Sequence, residues 1–182
     1  VVRRLNFGGS WDINELIGLG DIKIRAPQFY LKVRAFDGNR YFPAIALGYD
    51  GQGYGTFLSS PLAPGTSEGY SHKDRGLYFV LSRELFVPDL EFHLGPNIPR
   101  LGKETIAASD MMLFFGTSYL YGKTLHLMTE LDNIGGGADM RWNAGLRYHL
   151  TPAFALEFAI RNLVGRGDVR ERIIRIDYLG TF

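Results

Sequence analysis

Apolar and polar residues alternate with a period of two along most of the chain. In 141–150 ("RWNAGLRYHL"), Trp142, Ala144, Leu146 and Tyr148 share one face, and Arg141, Asn143, Gly145, Arg147 and His149 share the other. The stretch "TLHLMTEL" sets Leu125, Leu127, Thr129 and Leu131 against His126, Met128 and Glu130. "FALEFAIRNL" sets Phe154, Leu156, Phe158 and Ile160 against Ala155, Glu157, Ala159 and Arg161. At the end of the chain, Ile174, Ile176, Tyr178, Gly180 and Phe182 oppose Arg175, Asp177 and Thr181. Helical spacing fits none of these, whereas a period of two is that of a strand. Six further segments follow the rule, near 3–13, 28–36, 43–50, 75–85, 89–97 and 110–119, so ten strands are predicted. A short helix is a candidate within "DINELIGLG", although Gly18 and Gly20 oppose it.

The connections between these strands alternate in length. "DGNRYF", "FVPD", "LYG" and "TPA" are short, and the links between them are longer, up to "GQGYGTFLSSPLAPGTSEGYSHKD". Tight turns at one rim and extended loops at the other describe an antiparallel up-and-down transmembrane barrel. One domain over residues 1–182 is expected, because no linker, repeat block or low-complexity tract interrupts the pattern.

Composition changes this picture little. Lys plus Arg number 20 against 19 Asp plus Glu, which excludes a nucleic-acid footprint. Cysteine is absent, so neither a disulfide scaffold nor a thiolate metal site is available. No run reaches the roughly 18 apolar residues of a membrane helix, and there is no initiator Met or leader, as expected of a mature or trimmed product. Two strands ahead of Val1 would make the barrel twelve-stranded.

The ending "RIDYLGTF" resembles the carboxy-terminal signal of bacterial outer-membrane proteins, alternating apolar residues that finish on an aromatic. By that resemblance Ile174, Ile176, Tyr178 and Phe182 are signal positions for the barrel assembly machinery, and the chain resides in the bacterial outer membrane. In lipid every backbone polar group must be paired internally, so the last strand has to join the first. Aromatics gather near the short turns (Phe36, Tyr41, Phe42, Phe86, Tyr121, Tyr148, Phe154, Phe182) and toward the long loops (Trp11, Tyr30, Tyr49, Tyr54, Trp142), as two interfacial belts would.

Charges occupy the face opposite the apolar one: Arg4, Asp12, Lys32, Arg34, Glu84, Glu91, His93, Glu130, Asp132, Arg147, Glu157, Arg161, Arg175 and Asp177. A lipid-facing Arg or Lys at mid-bilayer costs about 2–4 kcal/mol, so these side chains are expected in the lumen. Arg83 alone breaks the rule, near the short-turn rim where it can snorkel. Ten strands enclose a bore only slightly wider than the filled eight-strand case, so oppositely charged side chains are expected to pair and obstruct it. An occluded scaffold therefore fits better than a narrow pore for ions or small solutes.

Catalysis, including a hydrolase on the rim, is not expected. It requires a His oriented between a carboxylate and a nucleophile. His93 and His126 lie mid-strand, His149 lies near the short turns, and only His72, beside Asp74, is in a long loop. "GQGYG" lacks the following helix of a phosphate cradle, and turn geometry accounts for the glycines of "DNIGGGAD", whose Asp132, Asn133 and Asp139 are candidate calcium ligands. The Arg-Gly-Asp triplet in "GRGD" is explained by a tight turn. No cofactor or metal is implied. Basic residues of the long loops, Lys23, Arg25, Lys73, Arg75, Lys103 and Arg166, with Arg100, Arg141 and Arg170, are candidates for contact with lipopolysaccharide phosphates.

"FPAIALGYDGQGYGTFLSS", "RGLYFVLSREL" and "LEFHLGPN" together resemble the central pattern of YjbH-like outer-membrane proteins associated with exopolysaccharide production. That resemblance implies a non-enzymatic part in polysaccharide export, with other subunits of an envelope complex as partners.

Overall fold

The computed structural model describes residues 5–14, 23–24, 27–54, 57–58, 69–70, 73, 75–99, 111–135, 140–164 and 170–178. Its strands, in chain order, are β1 (Leu5–Asn14), β2 (Lys23–Ile24), β3 (Gln28–Phe36), β4 (Ala44–Asp50), β5 (Phe57–Leu58), β6 (Gly69–Tyr70) and β7 (Gly76–Glu84). They continue with β8 (Leu90–Pro99), β9 (Met112–Tyr121), β10 (Leu125–Ile134), β11 (Arg141–His149), β12 (Phe154–Arg161) and β13 (Glu171–Tyr178). Ten of these form the wall, in the order β1-β3-β4-β7-β8-β9-β10-β11-β12-β13, and β13 pairs back onto β1. The closing seam runs antiparallel from Phe7 opposite Tyr178 to Ile13 opposite Arg172. The ring therefore closes at ten strands rather than twelve. β2 extends the edge at Ile13 and Asn14, and β5 pairs only with β6. Of the candidate helix, residues 12–14 belong to β1 and the remainder lies outside the described residues.

The short turns follow local chemistry. In the three-residue loop between β9 and β10, Gly122 and Lys123 both have positive φ (60° and 67°), the sign that lets a tight hairpin follow strand twist. In the turn after β3, Asn39 Oδ1 accepts hydrogen bonds from the Tyr41 and Phe42 amides at 2.8 and 2.9 Å. In the turn after β11, Thr151 Oγ1 accepts from the Ala153 and Phe154 amides.

Alternation along each strand produces two unlike surfaces. Every wall strand presents at least one exposed large apolar side chain: Phe7, Leu31, Leu47, Leu77, Leu94, Phe115, Leu127, Leu146, Phe158 and Ile176. Leu156, Phe158 and Ile174 accordingly lie on the outer wall, not in a core. Inside, the only buried hydrophobic cluster among the described residues joins Ala46, Val80 and Phe114, with Tyr78 against it. Tyr78 lies over Gly48 and Tyr30 over Gly8, places where a Cβ would collide with the ring, so glycine lets large inward rings fit a narrow bore.

Candidate functional site

The lumen is bridged by a strap. Directly after β4, Gly51, Gln52, Gly53 and Tyr54 are all buried. β4 is third in the ring and β11 eighth, so the two stand on opposite sides of the bore. The strap is held by side chains of β11, β12 and β13, which stand five, four and three places from β4 round the ring. Arg161 Nη1 donates to the Gly53 carbonyl at 3.2 Å, and Arg175 Nη2 donates to Gln52 Oε1 at 3.2 Å. The Tyr54 ring lies under two guanidinium groups, with Arg141 at 4.9 Å and Arg161 at 5.8 Å from its centroid. On the strap's other side the Tyr54 amide donates to the Lys73 carbonyl at 2.7 Å, and the Lys73 amide returns a bond at 3.2 Å. Tyr70 packs directly on Gly53, where a Cβ would overlap its ring.

Beneath the strap, the four C-terminal strands supply an ionic network. Arg147 Nη2 bonds Glu157 Oε2 at 2.5 Å. Its Nε is 2.7 Å from Asp177 Oδ2, while the Nε hydrogen is aimed at Glu157 Oε2 at 3.0 Å. Asp177 is thus held by charge more than by an aligned hydrogen bond. Arg175 Nη1 reaches Glu157 Oε1 at 3.4 Å, so one buried carboxylate serves two guanidinium groups. Arg161 lies between Glu171 (3.7 Å) and Asp50 (3.8 Å), and Asp50 is also 4.0 Å from Arg175 and from Lys73. Arg141 pairs with Asp132 at 3.3 Å, both nearly inaccessible. Removing ions from water is costly, and the close approach of opposite charges offsets part of that cost here.

The other arc is chemically different. His93 is held between Ser82 Oγ (2.8 Å, at Nδ1) and Ser118 Oγ (2.9 Å, at Nε2), with Glu91 3.9 Å away. Across the boundary, on β10 and β11 of the ionic arc, the rings of His126 and His149 meet at a tilt with centroids 5.0 Å apart. Serine hydroxyls occupy both nitrogens of His93, and the Glu91 carboxylate lies farther out.

Several expected positions are placed otherwise. Lys32 and Glu84 make no ion pair among the described residues, Arg34 reaches out to the turn residue Asp37 at 4.0 Å, and Glu130 accepts from Asn143 instead of a cation. Lys73 and Arg141, expected at the lipopolysaccharide surface, turn inward to Asp50 and Asp132: Lys73 is paired with Tyr54 of the strap, and Arg141 shares the inward parity of Arg147 on β11. Tyr30 and Tyr54 are inward rings, not members of an interfacial belt; Tyr30 faces Arg175 at 5.4 Å. Asp132, with Arg141 on its carboxylate, is not free to act as a calcium ligand. Arg75 is exposed with its guanidinium over Tyr70, and Tyr178 packs against Phe7 and Phe154 at the closing seam. Arg4, Arg25, His72, Asp74, Arg100, Lys103, Asp139, the Arg166–Asp168 triplet and Phe182 lie outside the described residues, as do the side chains of Asp12 and Lys23. Asp50, Gln52 and Glu171 belong to the network without any motif to announce them.

No family model matches the chain, and no curated protein matches it. Among solved structures, it is similar to Ail, the attachment invasion locus protein of Yersinia pestis, at 10% identity over 96% of this chain and 93% of that one, with a TM-score of 0.32. A second structure of Ail, in complex with the heparin analogue sucrose octasulfate, aligns at the same identity and TM-score over 94% of its chain. A likeness this distant assigns nothing to the present lumen or loops.

Proposed function

We propose that the chain is a non-enzymatic outer-membrane barrel with a closed lumen, acting through its loops as a scaffold in a cell-envelope assembly. Export of polysaccharide is the process its motif resemblance implies. The observation that carries this reading is the strap, residues 51–54, anchored across the bore by Arg161 and Arg175. A conduit needs a continuous aqueous path, and here paired ions and a buried tyrosine occupy it. The bilayer setting is supported by a closed ring whose every wall strand exposes apolar side chains, since closure satisfies the backbone and the belt matches hydrocarbon. Planar-bilayer recording tests the closed lumen: the purified barrel is expected to give no discrete conductance steps, and steady unitary currents from the unaltered protein would make it a pore. A pull-down from gently solubilised membranes tests the scaffold: other envelope subunits are expected to co-purify, and recovery of the barrel alone would count against that role.

A further inference from the structure

The outer wall has one feature that a uniform apolar belt does not explain. Near the short-turn rim, β4, β7, β8 and β9 leave a groove of about 160 Å3. The lining residues that face outward are Pro43, Leu81, Arg83, Phe92, Leu94 and Phe115, while Ser82 and His93 turn their side chains inward to one another. Leu81, Leu94 and Phe115 stand level across three adjacent strands, and Arg83 lies opposite Phe92, one step nearer the rim. Phe86, Phe92 and Phe115 form a row of rings along the groove, with centroids 5.7 and 6.1 Å apart.

Arg83 makes this groove unlike ordinary lipid-facing surface. It is exposed, it faces outward, and its Nη2 donates to the Arg40 carbonyl at 2.8 Å, which fixes the guanidinium at the rim with its other N–H groups free for a ligand. A cation on this face is disfavoured at mid-bilayer and tolerable at the interface. An apolar slot leading to a fixed guanidinium suits a molecule that is hydrocarbon at one end and anionic at the other.

We propose that the groove and Arg83 together seat one glycerophospholipid of the leaflet at the short-turn rim. Its acyl chain lies along the row of phenylalanines, and its phosphate accepts hydrogen bonds from Arg83. The proposal rests on the membrane reading above. Native mass spectrometry of the detergent-released barrel, equilibrated with phosphatidylglycerol or with a diacylglycerol of the same chains, tests it. Wild type should retain one phosphatidylglycerol, about tenfold better than Arg83→Gln does and about tenfold better than it retains the diacylglycerol, the scale of one charge-assisted contact. Leu81→Trp, which fills the groove from outside and leaves the lumen untouched, should abolish retention of both lipids. Heat-modifiable gel mobility verifies that each variant is folded. Retention undiminished by Arg83→Gln, retention that survives Leu81→Trp, or retention that ignores the phosphate overturns the proposal. Failure of the membrane reading shows itself separately, as a barrel that stays folded and monodisperse without detergent.

Discussion

The two arcs of the lumen solve the same problem with different chemistry. Strands β10 to β13 bury charge: Glu157, Arg175, Arg147 and Asp177 interlock, and Arg161 and Arg141 reach across to the strap. Strands β3 to β9 fill their share with a small apolar cluster, a serine-bound histidine, and charges such as Lys32 and Glu84 that make no ion pair among the described residues. The strap issues from the second arc and is fastened by the first. In the closed-lumen reading proposed above, occlusion is not the diffuse consequence of a narrow charged bore but depends on a few guanidinium groups that hold a glycine-rich segment.

That contrast predicts unequal sensitivity. The largest effect is expected from Glu157→Ala, which removes the buried carboxylate between two half-buried guanidinium groups, leaving Arg147 to Asp177 and Arg175 to Asp50, and should cost about 3 kcal/mol in urea unfolding from lipid vesicles. Next is Gly53→Val, whose side chain cannot share space with Tyr70. It should displace the strap and produce conductance steps absent from wild type, with the barrel still folded by gel mobility. In the other arc His93→Ala deletes two hydrogen bonds to serine hydroxyls that lie among polar neighbours, so a loss of about 1–3 kcal/mol is expected, with the lumen still closed. Glu84→Ala, exposed near the rim, should leave the unfolding midpoint unchanged within error. A Glu84→Ala effect as large as that of Glu157→Ala would erase the distinction between the arcs.

The wall was legible in the sequence because lipid and lumen impose opposite preferences on successive residues. Leu125, Leu127 and Leu131 against His126 and Glu130 needed no partner strand to be assigned a side. Partners were not legible, since Arg147 meets Glu157 only through the register of β11 on β12, which alternation leaves free. Tyr30 shares the parity of Lys32, which puts it inside; clustering of aromatics is the weaker signal of the two. The strap could not be read at all. Gly51 to Tyr54 look like a surface turn, and nothing local distinguishes a glycine-rich segment that leaves the barrel from one that enters it. Lys73 fails for the same reason, because a long connection has no alternation from which to infer a side.

The chain contains no cysteine, so one introduced at Gln52 reports the strap without background. In the folded barrel Gln52→Cys should resist a charged, membrane-impermeant maleimide, should label far more slowly than a cysteine at the exposed turn residue Lys123, and should become reactive when Arg161 is also replaced by Ala. Labelling of Gln52→Cys as fast as at position 123, with Arg161 intact, would show that residues 51–54 lie in solvent and that the lumen is not closed in the way described.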